Sequence, residues 1–362
     1  MDKIKFGIVG AGWRTEFFLR IVQNCPERFG VTGVVVRNPE KAATFAKRWG
    51  VPVFATLEAM LEKSAPSFVV SSVPWDVNPG VLVALSERGV PALSETPPAP
   101  NLDGMLALWE KIQRLKGRVQ VAEQVHLRPH HVAQLAIAAS GKLGTISQAQ
   151  VSVAHGYHGI SLMRKFLGIT FEPARVHATE FKSPLITGAG RGGPPEKEGV
   201  KTSTQHFIRF DFGDKLGLMD FTGDQYFAWI RDERLLVRGE RGELSGRSVA
   251  YLKDFRTPIR FDFVRHTTGI DGDLQGNHLQ GIQAGEEWVY RNAFAPASLM
   301  DDEIAIATAL VKMDEYVRAG REFYPLAEGM QDHYLNIVAQ KSLATGATET
   351  ASAQPWSRKN ER

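Results

Sequence analysis

Three short stretches of this 362-residue chain hold residues whose types and spacing suit chemistry. The first is Gly10-Ala11-Gly12, set between the apolar run Lys3 to Val9 (KIKFGIV) and the helically spaced Glu16 to Val22 (EFFLRIV). Strand, glycine turn and helix in that order form a phosphate-binding unit. Gly10 permits the tight turn, and Gly12, lacking a Cβ, lets a diphosphate approach the amides at the positive end of the helix. The third glycine of a G-x-G-x-x-G fingerprint falls at Thr15. A side chain there either loosens the packing of helix on strand or supplies a hydroxyl that caps the helix or reaches a phosphate. An ordinary turn of another α/β protein is the alternative reading.

The second stretch is His155, Tyr157 and His158, two imidazoles and a phenol able to exchange protons. A histidine pair three residues apart could also hold a metal, but no Asp, Glu or Cys at ligand spacing accompanies it, so no metal site is expected. A solvent-facing turn without function is the plain alternative. The third stretch is Gln124, His126 and Arg128 in AEQVHLRPHH. It follows a strand whose carboxyl end is the usual ligand position in a doubly wound sheet. His126 and Arg128 would hold an acidic or polyhydroxylated substrate, unless Arg128 is spent on a surface carboxylate.

The elements that position these residues alternate regularly. Val31 to Val36 reads as a second strand, Pro39 to Trp49 as a helix stopped by Gly50, and Val51 to Phe54 as a third strand, with Thr56 capping the next helix. Strands follow at Phe68 to Val73, Val90 to Ser94 and Val119 to Ala122, with helices at Val81 to Arg88 and Leu102 to Leu115 between them. Six strand-helix alternations are the doubly wound pattern. At the end of the second strand Val36 stands where an acidic residue would bind ribose hydroxyls, and Arg37 follows. Arg37 suits adenine stacking or a 2′-phosphate, which tilts the expected cofactor from NAD toward NADP; a plain surface arginine is the alternative.

Past residue 145 the pattern changes. Ile146 to Val153 alternates polar and apolar, as do His206 to Phe212, Leu216 to Thr222, Tyr226 to Arg231 and Leu235 to Arg238, which predicts a sheet with one wet face. Thr187 to Gly199 reads as a mobile loop, Asp301 to Arg318 and Gly329 to Thr345 as long helices, and the residues from Ser352 as a frayed polar tail.

Composition narrows the classes. A net charge of +3 at this length calls for neither nucleic acid nor an anionic membrane as partner. A single cysteine, Cys25, excludes an intrachain disulfide and a cysteine-based metal site, and its place before Pro26 at a helix end gives no sign of redox work. No stretch reaches transmembrane length and the chain opens directly on a strand, so a cytoplasmic protein is expected.

Taken in order, Gly7 to Gly12 (GIVGAG), RNPEKA from Arg37, Ser72-Val73-Pro74 and SETPPAP from Ser94 resemble the glucose-fructose oxidoreductase, inositol dehydrogenase and MocA (Gfo/Idh/MocA) family. FLGITFEPARVHA from Phe166, GERGEL from Gly239 and NIVAQKSLATG from Asn336 extend the resemblance over essentially the whole chain. It implies an α/β Rossmann N-terminal domain over residues 1–125. An α+β domain with a large open, mostly antiparallel sheet follows over 126–347, and then a polar tail over 348–362. It also implies NAD or NADP as cofactor, a small-molecule sugar, inositol or related polyol oxidised or reduced at one hydroxyl, and a homo-oligomer, dimer or tetramer, joined through the sheet.

The family's Glu-Lys-Pro tripeptide coincides with Glu95, Thr96 and Pro97, so Thr96 stands in the place of a lysine and cannot replace its charge. The family's histidine coincides with His158 and its aspartate with Ala154. At a helix start the dipole favours the neutral imidazole, hence a base role for His158, with Thr96, Tyr157 and His155 beside it as further catalytic candidates. Expected cofactor contacts are Gly10, Gly12, Trp13, Arg14, Thr15, Arg37, Ser72, Val73, Pro74, Trp75, Glu95 and Gln124; expected substrate contacts are His126 and Arg128. The two departures also fit a redox-neutral elimination or glycosidic cleavage on a retained cofactor, or a nucleotide-binding member without chemistry.

Overall fold

The computed structural model describes residues 2–269, 273, 276 and 278–357. In chain order the elements begin β1 (Ile4–Val9), α1 (Trp13–Asn24), β2 (Phe29–Val35), α2 (Pro39–Trp49), β3 (Val53–Phe54), α3 (Leu57–Ser64) and β4 (Phe68–Ser71). They continue with α4 (Asn78–Glu87), β5 (Ala92–Ser94), α5 (Leu102–Leu115), β6 (Val119–Val121), α6 (Pro129–Ala139), β7 (Ile146–Ser152) and α7 (Gly156–Leu167). Next come β8 (Ala174–Ile186), β9 (Val200–Asp211), β10 (Leu216–Met219), β11 (Arg234–Gly239), β12 (Gly242–Ser245), β13 (Ser248–Asp254) and β14 (Thr257–Thr268). Last are β15 (His278–Ala284), β16 (Glu287–Arg291), α8 (Asp301–Ala319), α9 (Leu326–Thr345) and β17 (Glu349–Ala351).

The chain divides into two compact units. One holds the residues up to Pro129 with those in 266–281 and 291–330; the other holds 130–265, 282–290 and the residues from Gln331 onward.

The first unit is built on a six-stranded sheet in the order β3-β2-β1-β4-β5-β6, parallel throughout. That reversal of direction on either side of β1 is the Rossmann arrangement, and it opens a ligand crevice at the carboxyl ends of β1 and β4. Buried Phe6 on β1 stacks on Phe68 of β4, centroids 5.6 Å apart, because strands covered on both faces must fill both with apolar side chains. Local chemistry sets the helix limits: Asn38 caps α2 by accepting from the Lys41 N–H (2.8 Å), Thr56 caps α3 and Asn101 caps α5. Helix α8 joins this unit through Glu303, which accepts from Arg20 of α1 at 2.6 Å. The β6 edge is closed by the chain at Phe323 and Tyr324, whose N–H groups donate to Gln120 Oε1, while Val121 N–H donates to the Tyr324 carbonyl (2.8 Å).

The second sheet has eleven strands in the order β16-β15-β14-β13-β12-β11-β7-β10-β9-β8-β17. Only β7 and β10 run parallel among its described pairs, so it is mostly antiparallel, as the resemblance implies. Residues 187–199 link β8 to β9.

Two expectations are corrected. Tyr226 to Arg231 is not a strand: Thr222 and Gln225 cap each other's backbone and start a single 3-10 turn over Gly223–Tyr226, after which the chain runs irregularly to β11. Tyr226, Phe227 and Trp229 there are exposed. The end of the chain is not frayed as far as residue 357. Glu349–Ala351 pairs antiparallel with β8 as β17, and Trp356 is buried, its indole N–H donating to Gln331 Oε1 at 3.0 Å. A burial worth several kcal/mol for a tryptophan outweighs the polar character of its neighbours. The rest of the expected tail, 358–362, lies outside the described residues.

Candidate functional site

The glycine turn joins β1 to α1. Gly10 has φ +113°, and a Cβ there would stand 2.0 Å from the Ser72 carbonyl oxygen, so the protein itself demands a glycine. Gly12 differs: its φ is −82°, and a Cβ would meet nothing within 4 Å. Gly12 is the N-cap of α1, and no side chain caps that helix. An open approach onto uncapped amides at the positive end of a twelve-residue helix suits the diphosphate of a dinucleotide. The residues present therefore fit the expected cofactor.

Thr15 does not take part as expected. It is fully buried, and its hydroxyl lies 3.1 Å from the Gly10 carbonyl and 3.2 Å from Ser72 Oγ, which ties the turn to the end of β4. It neither caps α1 nor points outward. Ser72 donates its N–H to the Val9 carbonyl (2.9 Å), and Val73 and Pro74 follow it, with Trp75 exposed. Trp13 is exposed on α1, with the Arg14 guanidinium 4.7 Å from its ring centroid. The same guanidinium stands 3.5 Å from the Glu95 carboxylate; with the Gln124 amide nitrogen donating to the Ala122 carbonyl (2.7 Å), its oxygen accepts from Arg14 at 3.3 Å. Arg14, Glu95 and Gln124 thus meet at the carboxyl ends of β5 and β6, beside half-buried Thr96. Arg37 is exposed just past β2.

A residue overlooked in the sequence holds this region together. Buried Asn78 accepts from Ser71 Oγ (2.7 Å) and donates to Ser94 Oγ (2.9 Å) and the Pro98 carbonyl (3.0 Å). It binds the ends of β4 and β5 to the segment carrying Glu95 and Thr96. His126 is buried against Tyr324, ring centroids 5.1 Å apart. Arg128 pairs with Asp302 at 2.7 Å, the carboxylate alternative left open above.

The second unit carries the histidine cluster at the start of α7. His155 is the N-cap and is exposed, whereas Tyr157 and His158 are buried, His158 to 5% exposure. The His158 ring lies edge-on to His155 at 5.1 Å and tilted against Tyr157 at 4.5 Å. Ala154, which the resemblance sets against an aspartate, is buried. Two further residues join them that sequence reasoning did not single out. Tyr226 Oη lies 2.6 Å from His155 Nδ1 and accepts the His155 backbone N–H at 3.0 Å, and His333 of α9 packs edge-on to Tyr157 at 5.7 Å. The Thr-x-x-Gln pattern at Thr222 and Gln225 was the available signal for Tyr226, since it marks a helical turn where alternation suggested a strand. Arg164, four residues before Gly168, the C-cap of α7, pairs with Asp332 at 2.5 Å in full burial and fixes α7 against α9. Among the described residues no group of three or more His, Cys, Asp or Glu could hold a metal ion, and no helix is long and apolar enough to cross a membrane.

Residues 4–123 match the model of the Gfo/Idh/MocA family, an oxidoreductase family with an NAD-binding Rossmann fold. The inositol 2-dehydrogenase of Corynebacterium glutamicum (strain R) is 26% identical over 231 residues, 58% of this chain and 68% of that protein. A myo-inositol dehydrogenase structure from Corynebacterium glutamicum ATCC 13032 aligns over 97% of this chain and 100% of its own, with TM-score 0.65 and 17% identity. The WlbA dehydrogenase of Bordetella pertussis, solved with NADH and UDP-GlcNAcA, aligns over 98% and 99% with TM-score 0.62 and 15% identity. The structural likenesses establish a shared fold.

Proposed function

We propose, on the premise that this chain belongs to the Gfo/Idh/MocA oxidoreductase family, that it is an NAD(P)-dependent oxidoreductase acting on a hydroxyl of a sugar, inositol or related polyol. The observation that carries this reading is the unobstructed, uncapped start of α1 at Gly12. Gly10, Gly12, Trp13, Arg14, Ser72, Val73, Pro74, Trp75, Glu95 and Gln124 would hold the dinucleotide, Thr15 acting only by bracing the turn. Its nicotinamide would supply the hydride acceptor or donor. His158 takes the hydroxyl proton, with Tyr157 and His155 packed on it and Thr96 in a supporting hydrogen bond. Exposed Arg37, with no acidic residue at positions 36–38, favours NADP. His126 remains the proposed substrate contact in the first unit, while Arg128 is engaged by Asp302. The large sheet would join copies of the chain.

The test is calorimetry with each coenzyme, followed by coenzyme reduction with a panel of inositols and sugars. Binding of NADP more tightly than NAD, and turnover reduced by about 100-fold in His158→Ala, are expected. Failure of both coenzymes to bind protein that also carries none would end the enzymatic reading. A redox-neutral reaction is the second reading, favoured by Thr96 and Ala154 in place of lysine and aspartate; nicotinamide that survives dialysis in the purified protein is its signature.

A further inference from the structure

We infer that Arg14 sets the balance between oxidised and reduced coenzyme, because its positive charge, held against Glu95, cancels the pull of that carboxylate on the oxidised nicotinamide ring. This deepens the oxidoreductase reading above and rests on it.

The two mononucleotide halves of a doubly wound sheet divide at the switch point, and the ribose contact at the end of β2 assigns the adenosine half to β1, β2 and β3. The nicotinamide half then falls to the carboxyl ends of β4, β5 and β6. Arg14 belongs to the first turn of α1, between β1 and β2, yet its guanidinium ends in that other half. Its Nε stands 3.5 Å from Glu95 Oε2, just past the end of β5, and its Nη2 donates to the Gln124 oxygen at 3.3 Å, just past the end of β6. All of these residues lie in the first unit. The Trp13 and Phe17 ring centroids are 4.7 and 5.3 Å from the central guanidinium carbon, which holds the charge in place. Side-chain exposure is 18% for Arg14 and 13% for Glu95, so solvent and salt screen this pair far less than a surface ion pair.

The oxidised ring carries one positive charge, and the reduced ring, after taking up a hydride, carries none. A fixed charge nearby therefore acts on one form only. Glu95 unopposed would favour the oxidised form, and Arg14 works against it. Thr96 and Gln124 beside the pair bring no charge. Buried Glu123, whose carboxylate accepts the Val125 N–H at 2.9 Å, is the same in every variant considered below. Deleting the guanidinium charge shifts the local field by one unit whatever else Glu95 touches. The diphosphate is common to both forms, so any attraction of Arg14 for it cancels in the ratio of their dissociation constants. That ratio isolates the charge on the ring.

The test is equilibrium binding of oxidised and reduced NADP, and of oxidised and reduced NAD, to the full chain, by calorimetry for the oxidised forms and coenzyme fluorescence for the reduced ones. In Arg14→Gln the affinity for oxidised relative to reduced coenzyme should rise by about tenfold or more. Arg14→Lys keeps the charge and should hold the ratio within about threefold of wild type. Glu95→Gln should move the ratio the opposite way, and the double variant should fall between the two single ones. Equal loss of affinity for both forms in Arg14→Gln overturns the charge role, as does an Arg14→Lys ratio that follows Arg14→Gln or a Glu95→Gln ratio that stays at the wild-type value. Any of these leaves the oxidoreductase reading standing, since coenzyme still binds. If urea unfolding shows Glu95→Gln to be misfolded, the two Arg14 variants decide alone. Wild-type protein that carries no coenzyme and binds none of the four ends both the reading and the inference.

Discussion

The Cα hydrogen face of Gly10 and the carbonyl of Ser72 are in contact: a Cβ on Gly10 would come within 2.0 Å of that oxygen, whereas one on Gly12, two residues on, would touch nothing. The fold itself therefore demands the first glycine and not the second, which is left to the dinucleotide proposed above. Gly10→Ala should lower stability by several kcal/mol, since it combines a backbone clash with a left-handed φ. Gly12→Val should leave the urea midpoint nearly unchanged while weakening dinucleotide binding by about tenfold or more. Equal loss of stability in both variants would contradict this division.

Asn78 makes three buried hydrogen bonds at the ends of β4 and β5. Asn78→Leu, close in volume, leaves Ser71, Ser94 and the Pro98 carbonyl without that partner and should cost about 2–4 kcal/mol in chemical denaturation. Because the segment with Glu95 and Thr96 hangs from these bonds, coenzyme affinity should fall as well. A variant of wild-type stability would show that the bonds are readily replaced.

Burial pushes the Cys25 thiol from 9.0 up to about 11, with the Glu27 carboxylate adding to the shift and Arg28 opposing it. The folded chain thus keeps a proton that the unfolded chain releases. Stability from this group is complete below pH 9 and declines as pH rises toward about 11. The decline, measured by urea unfolding across that range, should be shallower in Cys25→Ala. Native protein should also resist alkylation at neutral pH until unfolded.

Trp356 closes the second unit through its bond to Gln331 and its edge-on contact with Tyr334, ring centroids 6.1 Å apart. Trp356→Ala should cost about 3–5 kcal/mol. An unchanged melting temperature would show the closing segment to be dispensable.

Local signals made much of this protein legible. The glycine turn, the strand-helix alternation to β6 and the caps at Asn38 and Thr56 depend on residues within a few positions of each other, so period and turn chemistry alone determine them. The histidine cluster was visible for the same reason. Where alternation and capping disagreed, at Tyr226 to Arg231, the Thr222 and Gln225 cap prevailed, because its reciprocal hydrogen bonds set a 3-10 turn over Gly223–Tyr226.

Pairings over long separations were decided only by the tertiary structure. His155 meets Tyr226 across 71 positions, and Arg20 meets Glu303 across 283. Thr15 turned inward because Ser72, 57 residues away, offered its hydroxyl a partner in a space closed to solvent. Trp356 became core because β17 found the free edge of β8. Residue types set what each side chain is able to do; which partner it meets depends on the packing of strands and helices far apart in the chain, and no local pattern encodes that.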